Sequence, residues 1–546
     1  MRYTSAMWIA FLSVLLLAGC QWLAGYDGTR SPGALDSAQT RDVGIDGAHL
    51  DGASDVRVDG GRDDGRADVS RDVSGDMGRA DASVDISSDV DARDGAVDLM
   101  VRETTVDAFG PSWVVQEFTS FSPGWLKPKA VAIDSTGRIA VGGEYSGEVL
   151  FPGGILFCPQ RCPFVILGTA NANVSSFSVL FDPRSAGVVQ DLAFDANDRL
   201  LVGGNFSEEL TVNTSTIDKT LVAQGVDSFL LRVDPASPEG FVIDWFRHIK
   251  GDGVDRVLAV ATHPSVADRY AVGGSFTSPN VVSLDVLAGT NDFTPAGAVG
   301  TQDGFVMLLS SETTTPPDAL PAVATLGGSG DDVVHDVLLT ETELLAAGAF
   351  NLKLKVGCPA PVVGLGQDGI VAQWYTSGTG LMQAACSKLG GYGEDEARCL
   401  LPGSNRDHYQ VVGTTSGAGY FGNKSYNTSS GDADLFHGEV LFSQPTAALA
   451  SQQPGVERAL GAALWQGELV TLGTHSGQGV LLQHLDYQSE HTRFAIPSWT
   501  EIPSMAVATD AQGVVFVSES VPYGLLPRGR QAGVGTTAFI AVQAAP

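Results

Sequence analysis

Three sets of residues in this chain could do chemistry. The first is the glycine pair closing "LLVGGNF" (200–206). An apolar run halted by glycines is how a phosphate-cradling loop begins, because main-chain amides can then close on an anion. A dinucleotide site needs G-x-G-x-x-G followed by a helix. Gly203–Gly204 runs instead into "NFSEELTV", and Gly142–Gly143 into "EYSGEVLF", both extended β-type stretches. The pairs therefore read as glycines inside strands, where they let backbones approach and bend.

The second set is acidic. Asp331–Asp332 in "GGSGDD" and Glu394, Asp395 and Glu396 in "GGYGEDE" could act as acid/base dyads or ion ligands. Asp252 and Asp255 occupy the same place in a third copy, and such repetition points to hydrogen bonds that hold a loop. The third set is the nine His and six Cys residues. No H-E-x-x-H, no histidine pair at metal-ligand spacing and no G-x-S-x-G elbow occurs. The S-x-D-x-G-x-T-W box of propeller sialidases is also missing. No catalytic, cofactor-binding or metal-ligating residue is assigned. Cys158 and Cys162 in "CPQRC" flank a tight loop and are expected to pair, while Cys358 and Cys386 are open to pairing. Cys399, in "EARCLL", reads as a small buried hydrophobe.

The elements around these residues repeat. "KAVAIDSTGRIAVGGEY" (129–145) aligns with "QDLAFDANDRLLVGGNF" (190–206) and, with a longer turn, "DRVLAVATHPSVADRYAVGGSF" (255–276). Weaker copies start at 334, 397, 459 and 504, making seven. Each reads as strand, Asp/Gly/Asn turn, strand, with Asp134, Asp195 and Asp510 as turn formers. A third strand follows, usually led by Asp, as in "DSFLLRVD" (227–234) and "DGFVMLL" (303–309), then a fourth such as "DWFRHI" (244–249). Trp113, Trp245 and Trp374 fall on strands and read as core.

Four strands per unit and seven units of about sixty residues predict an all-β fold, a seven-bladed β-propeller. The chain ends on a third strand, "AFIAVQ" (538–543), so "WVVQEFTSF" (113–121) is expected to supply the missing fourth strand and close the ring. The motifs "DGFVMLL", "LGGSGDDVVHDV" and "VAIDSTGRIAVGGEY" resemble the bacterial SBBP propeller repeats. That resemblance covers 113–546 and is strongest over the first four units. It implies a fold and an exported or surface location, with no shared catalytic residues.

The remainder of the chain concerns location. "MRYTSAMWIAFLSVLLLAGC" has one charge, Arg2, and about a dozen apolar residues, too few to span a bilayer and suited to an export signal. Its end, "LLAGC", resembles a lipobox, which implies a signal peptide over 1–19 and a lipidated Cys20. Gln21 favours the outer membrane by analogy, with leaflet and surface exposure open. From Asp27 to Ala108 there is no aromatic residue and no Lys, and 21–110 holds 20 acids against 9 Arg. Such a stretch cannot offset its chain entropy by burial and is expected to be a disordered acidic tether over 20–110. "DVDARDGAVDLMVRE" (89–103) fails EF-hand spacing, with Asp94 where Gly is required. With 63 acidic and 32 basic residues in 546, a nucleic-acid surface is excluded. The expected function is a lipid-anchored envelope protein presenting its propeller to a protein or glycan ligand. The alternative is a propeller hydrolase, lyase or quinoprotein working at the channel mouth. The loop 416–434, with Tyr420, Phe421 and Tyr426, reads as a solvated insertion, with ligand recognition as the competing reading.

Overall fold

The computed structural model describes Thr104–Thr105 and most of the chain from Trp113 to Ala544. The longest undescribed stretches in that span are 170–179, 294–301, 311–321, 496–504 and 519–536. Side chains are described chiefly between 124 and 473. The signal over 1–19, Cys20, Asp510, the Trp113 side chain and nearly all of the 20–110 tether lie outside the described residues. Thr104–Thr105 are the exception, pairing as a two-residue strand with Val114–Val115.

The described fold is all-β and antiparallel. In the second repeat, strand Gly187–Phe194 pairs with Leu200–Asn213, that with Asp218–Asp234, and that with Val242–Lys250. The same first-to-fourth order holds from the third repeat to the sixth. At the chain's end Gly513–Ser518 pairs with Thr537–Ala544, which pairs with residues 113–119.

The first strands also pack in succession. Trp113–Ile133 packs against Gly187–Phe194, then come Asp255–Thr262, Asp332–Leu339, Glu396–Pro402, Glu457–Trp465 and Met505–Thr509. Met505–Thr509 in turn packs against Trp113–Ile133. Apolar side chains form continuous clusters between neighbouring repeats, such as Ala132, Ala140 and Val165 of the first with Val189, Val202 and Leu231 of the second.

The turn between first and second strands follows from one side chain. The Asp134 carboxylate accepts the Thr136 and Arg138 amides at 2.8 Å, and Asp195 accepts those of Asn197 and Arg199 at 2.8 and 3.0 Å. Each carboxylate mimics a turn of backbone. The residue before the second strand is left-handed in three copies, Gly137 (φ 81), Asp198 (φ 58) and Asp268 (φ 69).

The glycine pairs are explained by a defect in the first strand. Pairing skips one residue there in six repeats, at Lys129, Gln190, Leu258, His335, Arg398 and Leu460. Such a bulge pushes the strand toward its partner locally. A Cβ on Gly143, Gly204, Gly274, Gly348, Gly413 or Gly473 would overlap the carbonyl two residues before the bulge. The first glycine of a pair serves the neighbouring repeat: a Cβ on Gly203 would strike Val260, and one on Gly273 would strike Val334 and Val337. In the seventh copy Ser518 holds the second glycine's place. There Met505 pairs directly with Ser518 and the described strand carries no bulge.

The long segments between second and third strands carry strands of their own. They are hairpin extensions that reach the preceding repeat. Val281–Asp285 of the third repeat pairs with Val242–Lys250 of the second, and Leu354–Val356 of the fourth with Gly327–Gly328 of the third. Gly419–Phe421 of the fifth pairs with Leu389–Gly391 of the fourth. Phe421 and Tyr426 are consequently buried, and only Tyr420 stays exposed. The solvated-insertion reading of 416–434 is corrected for these two side chains, while 422–425 and Asn427 are exposed as expected.

Candidate functional site

The strand bulges gather polar residues where the first strands converge. After the bulged residue stand Asp191 in the second repeat, Asp336 in the fourth and Cys399 in the fifth, against Ala130, Ala259 and Gly461 elsewhere. Asp191 Oδ1 accepts its neighbour Leu192 N–H at 2.8 Å, and Oδ2 accepts Val260 N–H of the next repeat at 2.8 Å. Asp336 copies this geometry with Val337 at 2.8 Å and Leu400 of the next repeat at 2.7 Å. Cys399 holds the same relation to the Ala462 amide. Each side chain thus ties one first strand to the next.

These groups sense one another across the fold. Burial pushes the Asp191 carboxyl up to about 7, and Asp336 adds to the rise. Burial raises Asp336 to about 7 as well, against the Leu400 and Val337 amides that favour its charged form. Burial, with Asp336 and Asp191 nearby, pushes the Cys399 thiol far up, so it stays protonated and is a poor nucleophile. Cys399 keeps some solvent contact, which corrects its reading as a plain buried hydrophobe. Beside it, Glu396 pairs in charge with Arg398, 2.9 Å from its Nε, and lies 3.7 Å from His335 Nε2. Burial and Arg398 push His335 down to about 3, leaving a neutral imidazole. The array is asymmetric around the repeats. Its acids nevertheless already hold main-chain donors.

A second set sits at the junctions between repeats. The Asp leading a third strand meets the Asp opening the next first strand in three buried pairs, Asp227 with Asp255, Asp303 with Asp332 and Asp368 with Asp395. Asp255 accepts Ser278 Oγ at 2.7 Å, and Asp395 accepts Thr415 Oγ1 at 2.5 Å and Ser416 N–H at 2.9 Å. Those two match the loop-holding role expected for these acids. Asp332 accepts the Asn351 amide at 3.3 Å, and the exposed Asp331 accepts the Gln302 amide at 3.2 Å.

Cys158 is joined to Cys162 and Cys358 to Cys386, with Cα separations of 6.0 and 5.6 Å. Trp374 is buried, and Trp245 packs on Tyr270 at 5.7 Å between centroids. No group of three or more His, Cys, Asp or Glu among the described residues is placed to hold a metal by side chains alone. Asp191, Asp336, His335 and Arg398 were not singled out by sequence. The signal available was "VQDLAF" against "VHDVLL", which put Asp at one repeat position where the other copies carry small residues.

No family model matches the chain, and no curated relative matches it. Among solved structures it is similar to the WD40 repeats of RRP9, at 11% identity, covering 81% of this chain and 100% of that one, with a TM-score of 0.37. It is similar to U3-55K at 12% identity, covering 79% and 98%, TM-score 0.39. A third likeness is to a protein of unknown function from Dyadobacter fermentans, at 10% identity, covering 79% and 100%, TM-score 0.32.

Proposed function

We propose that this is an exported, lipid-anchored envelope protein whose repeats form a closed seven-bladed β-propeller of the SBBP kind, serving as a non-catalytic binding or scaffold module. Cys20 carries the lipid, the acidic segment to residue 110 is the tether, and the outer membrane is the favoured site. The ligand class is protein or glycan. Cyclic packing of the seven first strands and the pairing of 113–119 with 537–543 support the ring. The lipobox-like "LLAGC" and the composition of 21–110 support the anchor and tether.

One observation carries the non-catalytic reading. The carboxylates that converge at the first strands, Asp191 and Asp336, each hold two main-chain amides, and the thiol beside them is kept protonated. A catalytic acid or nucleophile needs a free face toward substrate. The propeller-enzyme reading draws on the asymmetry of the same cluster. A chain carrying Asp191→Asn and Asp336→Asn separates the two in a strain lacking the native copy. A scaffold restores the strain's phenotype at matched protein level, and an enzyme does not. For the anchor, Cys20→Ala should move the protein from the membrane fraction to the soluble one and leave it without acyl mass. An unchanged distribution contradicts lipidation.

A further inference from the structure

The three junction pairs are built alike but are not neutralised alike. At one place on the fourth strand, opposite the second residue after the leading Asp, stand His248, Thr325 and Lys388. His248 Nε2 lies 2.7 Å from Asp227, and Lys388 Nζ lies 2.9 Å from Asp368. Thr325 brings no charge to Asp303 and Asp332. The hydroxyl donors that serve Asp255 and Asp395, Ser278 and Thr415, are also missing there, since the corresponding residues are Leu352 and Phe350.

The middle pair is consequently left with unmet charge. Asp303 is fully buried and neither of its oxygens has a hydrogen-bond partner, and Oδ2 of buried Asp332 has none either. The Gly328 amide favours the charged form of both carboxyls, but burial outweighs it. Burial pushes Asp303 up to about 6, and burial with the neighbouring carboxylate pushes Asp332 up to about 8. An isolated buried carboxylate is costly unless paired, protonated or bound to a metal.

We propose that Asp303 and Asp332 bind a calcium ion from solution, which takes the place that Lys388 and His248 fill in the sister junctions. Two carboxylates can supply up to four oxygens, and main-chain carbonyls complete the six to eight that Ca²⁺ accepts. Ca²⁺ suits such a site better than Mg²⁺, which demands near-ideal octahedral geometry and gives up its waters reluctantly.

The test measures thermal unfolding of the full chain in about 1 mM CaCl₂ and in chelator, a range suited to extracellular calcium sites. The midpoint of the native protein should rise in calcium by on the order of 2–4 °C. Thr325→Lys, which supplies the ammonium in place, should remove that rise, and so should Asp303→Asn with Asp332→Asn. Asp331→Asn, altering the exposed neighbour, should keep it. No rise in the native chain, or an equal rise in the Thr325→Lys chain, overturns the proposal. Insensitivity to calcium, with a stabilisation on lowering the pH toward 5 that Asp303→Asn with Asp332→Asn removes, overturns the proposal and assigns the pair a shared proton instead.

Discussion

At the scale of single residues, one glycine and two carboxyl groups control the packing. Gly204 sits where the bulge at Gln190 brings the Val188 carbonyl against the second strand. Gly204→Ala should therefore destabilise by roughly 1–3 kcal/mol, the ordinary cost of overpacking, as read by denaturant unfolding. Asp191 and Asp336 act through protonation. Their folded carboxyls are raised to about 7, well above the unfolded value near 4. The native state thus binds more protons than the unfolded one between about pH 4 and 7. Stability must fall as the pH rises through that window. In chelator, Asp336→Asn should flatten the decline between pH 5 and 8. A slope equal to that of the native protein contradicts the assignment. The glycine's close approach was legible from its place in a strand, but the role of the acids was not, because the second amide that Asp191 and Asp336 each accept lies 69 and 64 residues away along the chain.

At the scale of elements, the local hairpins were legible and their long-range seams were not. "KAVAIDSTGRIAVGG" announces its own turn, since Asp134, Gly137 and the alternating apolar residues all act within a few positions. The extensions after each second strand carry polar and glycine-rich sequence and read as loops. They become strands only because the fourth strand of the preceding repeat offers them an edge, as Leu389–Gly391 does for Gly419–Phe421. Tyr420 and Phe421 show the consequence, being neighbours on opposite faces of a strand that sequence treated as a loop. The disulfides fasten these extensions. Cys358 belongs to one, and its partner Cys386 lies 28 residues on, in the same repeat's fourth strand. Replacing both with Ser should cost about 2–4 kcal/mol. Replacing Cys158 and Cys162, only 4 apart, should cost less because the closed loop is shorter. Comparing the two denaturation midpoints checks that order.

At the scale of the whole molecule, composition changes near residue 110, from an acidic segment without aromatic residues to the strand-rich body, and the proposed tether predicts how a protease meets that boundary. Limited proteolysis should cut freely within 27–108 and leave a resistant fragment beginning close to Thr104 or Trp113. Protection of 27–108 contradicts the tether. The formal charge of −31 should keep the protein monomeric and away from nucleic acid. Everything about the body rests on the ring. Its proposed closure draws on the pairing of residues 113–119 with 537–543.

That closure is testable by one covalent bond. Val115 and Ala541 are direct partners across the pairing of the first and last strands. Antiparallel partners stand at a Cα separation that a disulfide can bridge, about 4.5–5.5 Å. With Val115→Cys and Ala541→Cys, mild oxidation should form an intrachain crosslink in the folded protein and raise the unfolding midpoint. Two thiols that stay free under those conditions would contradict a ring closed by the N-terminal strand.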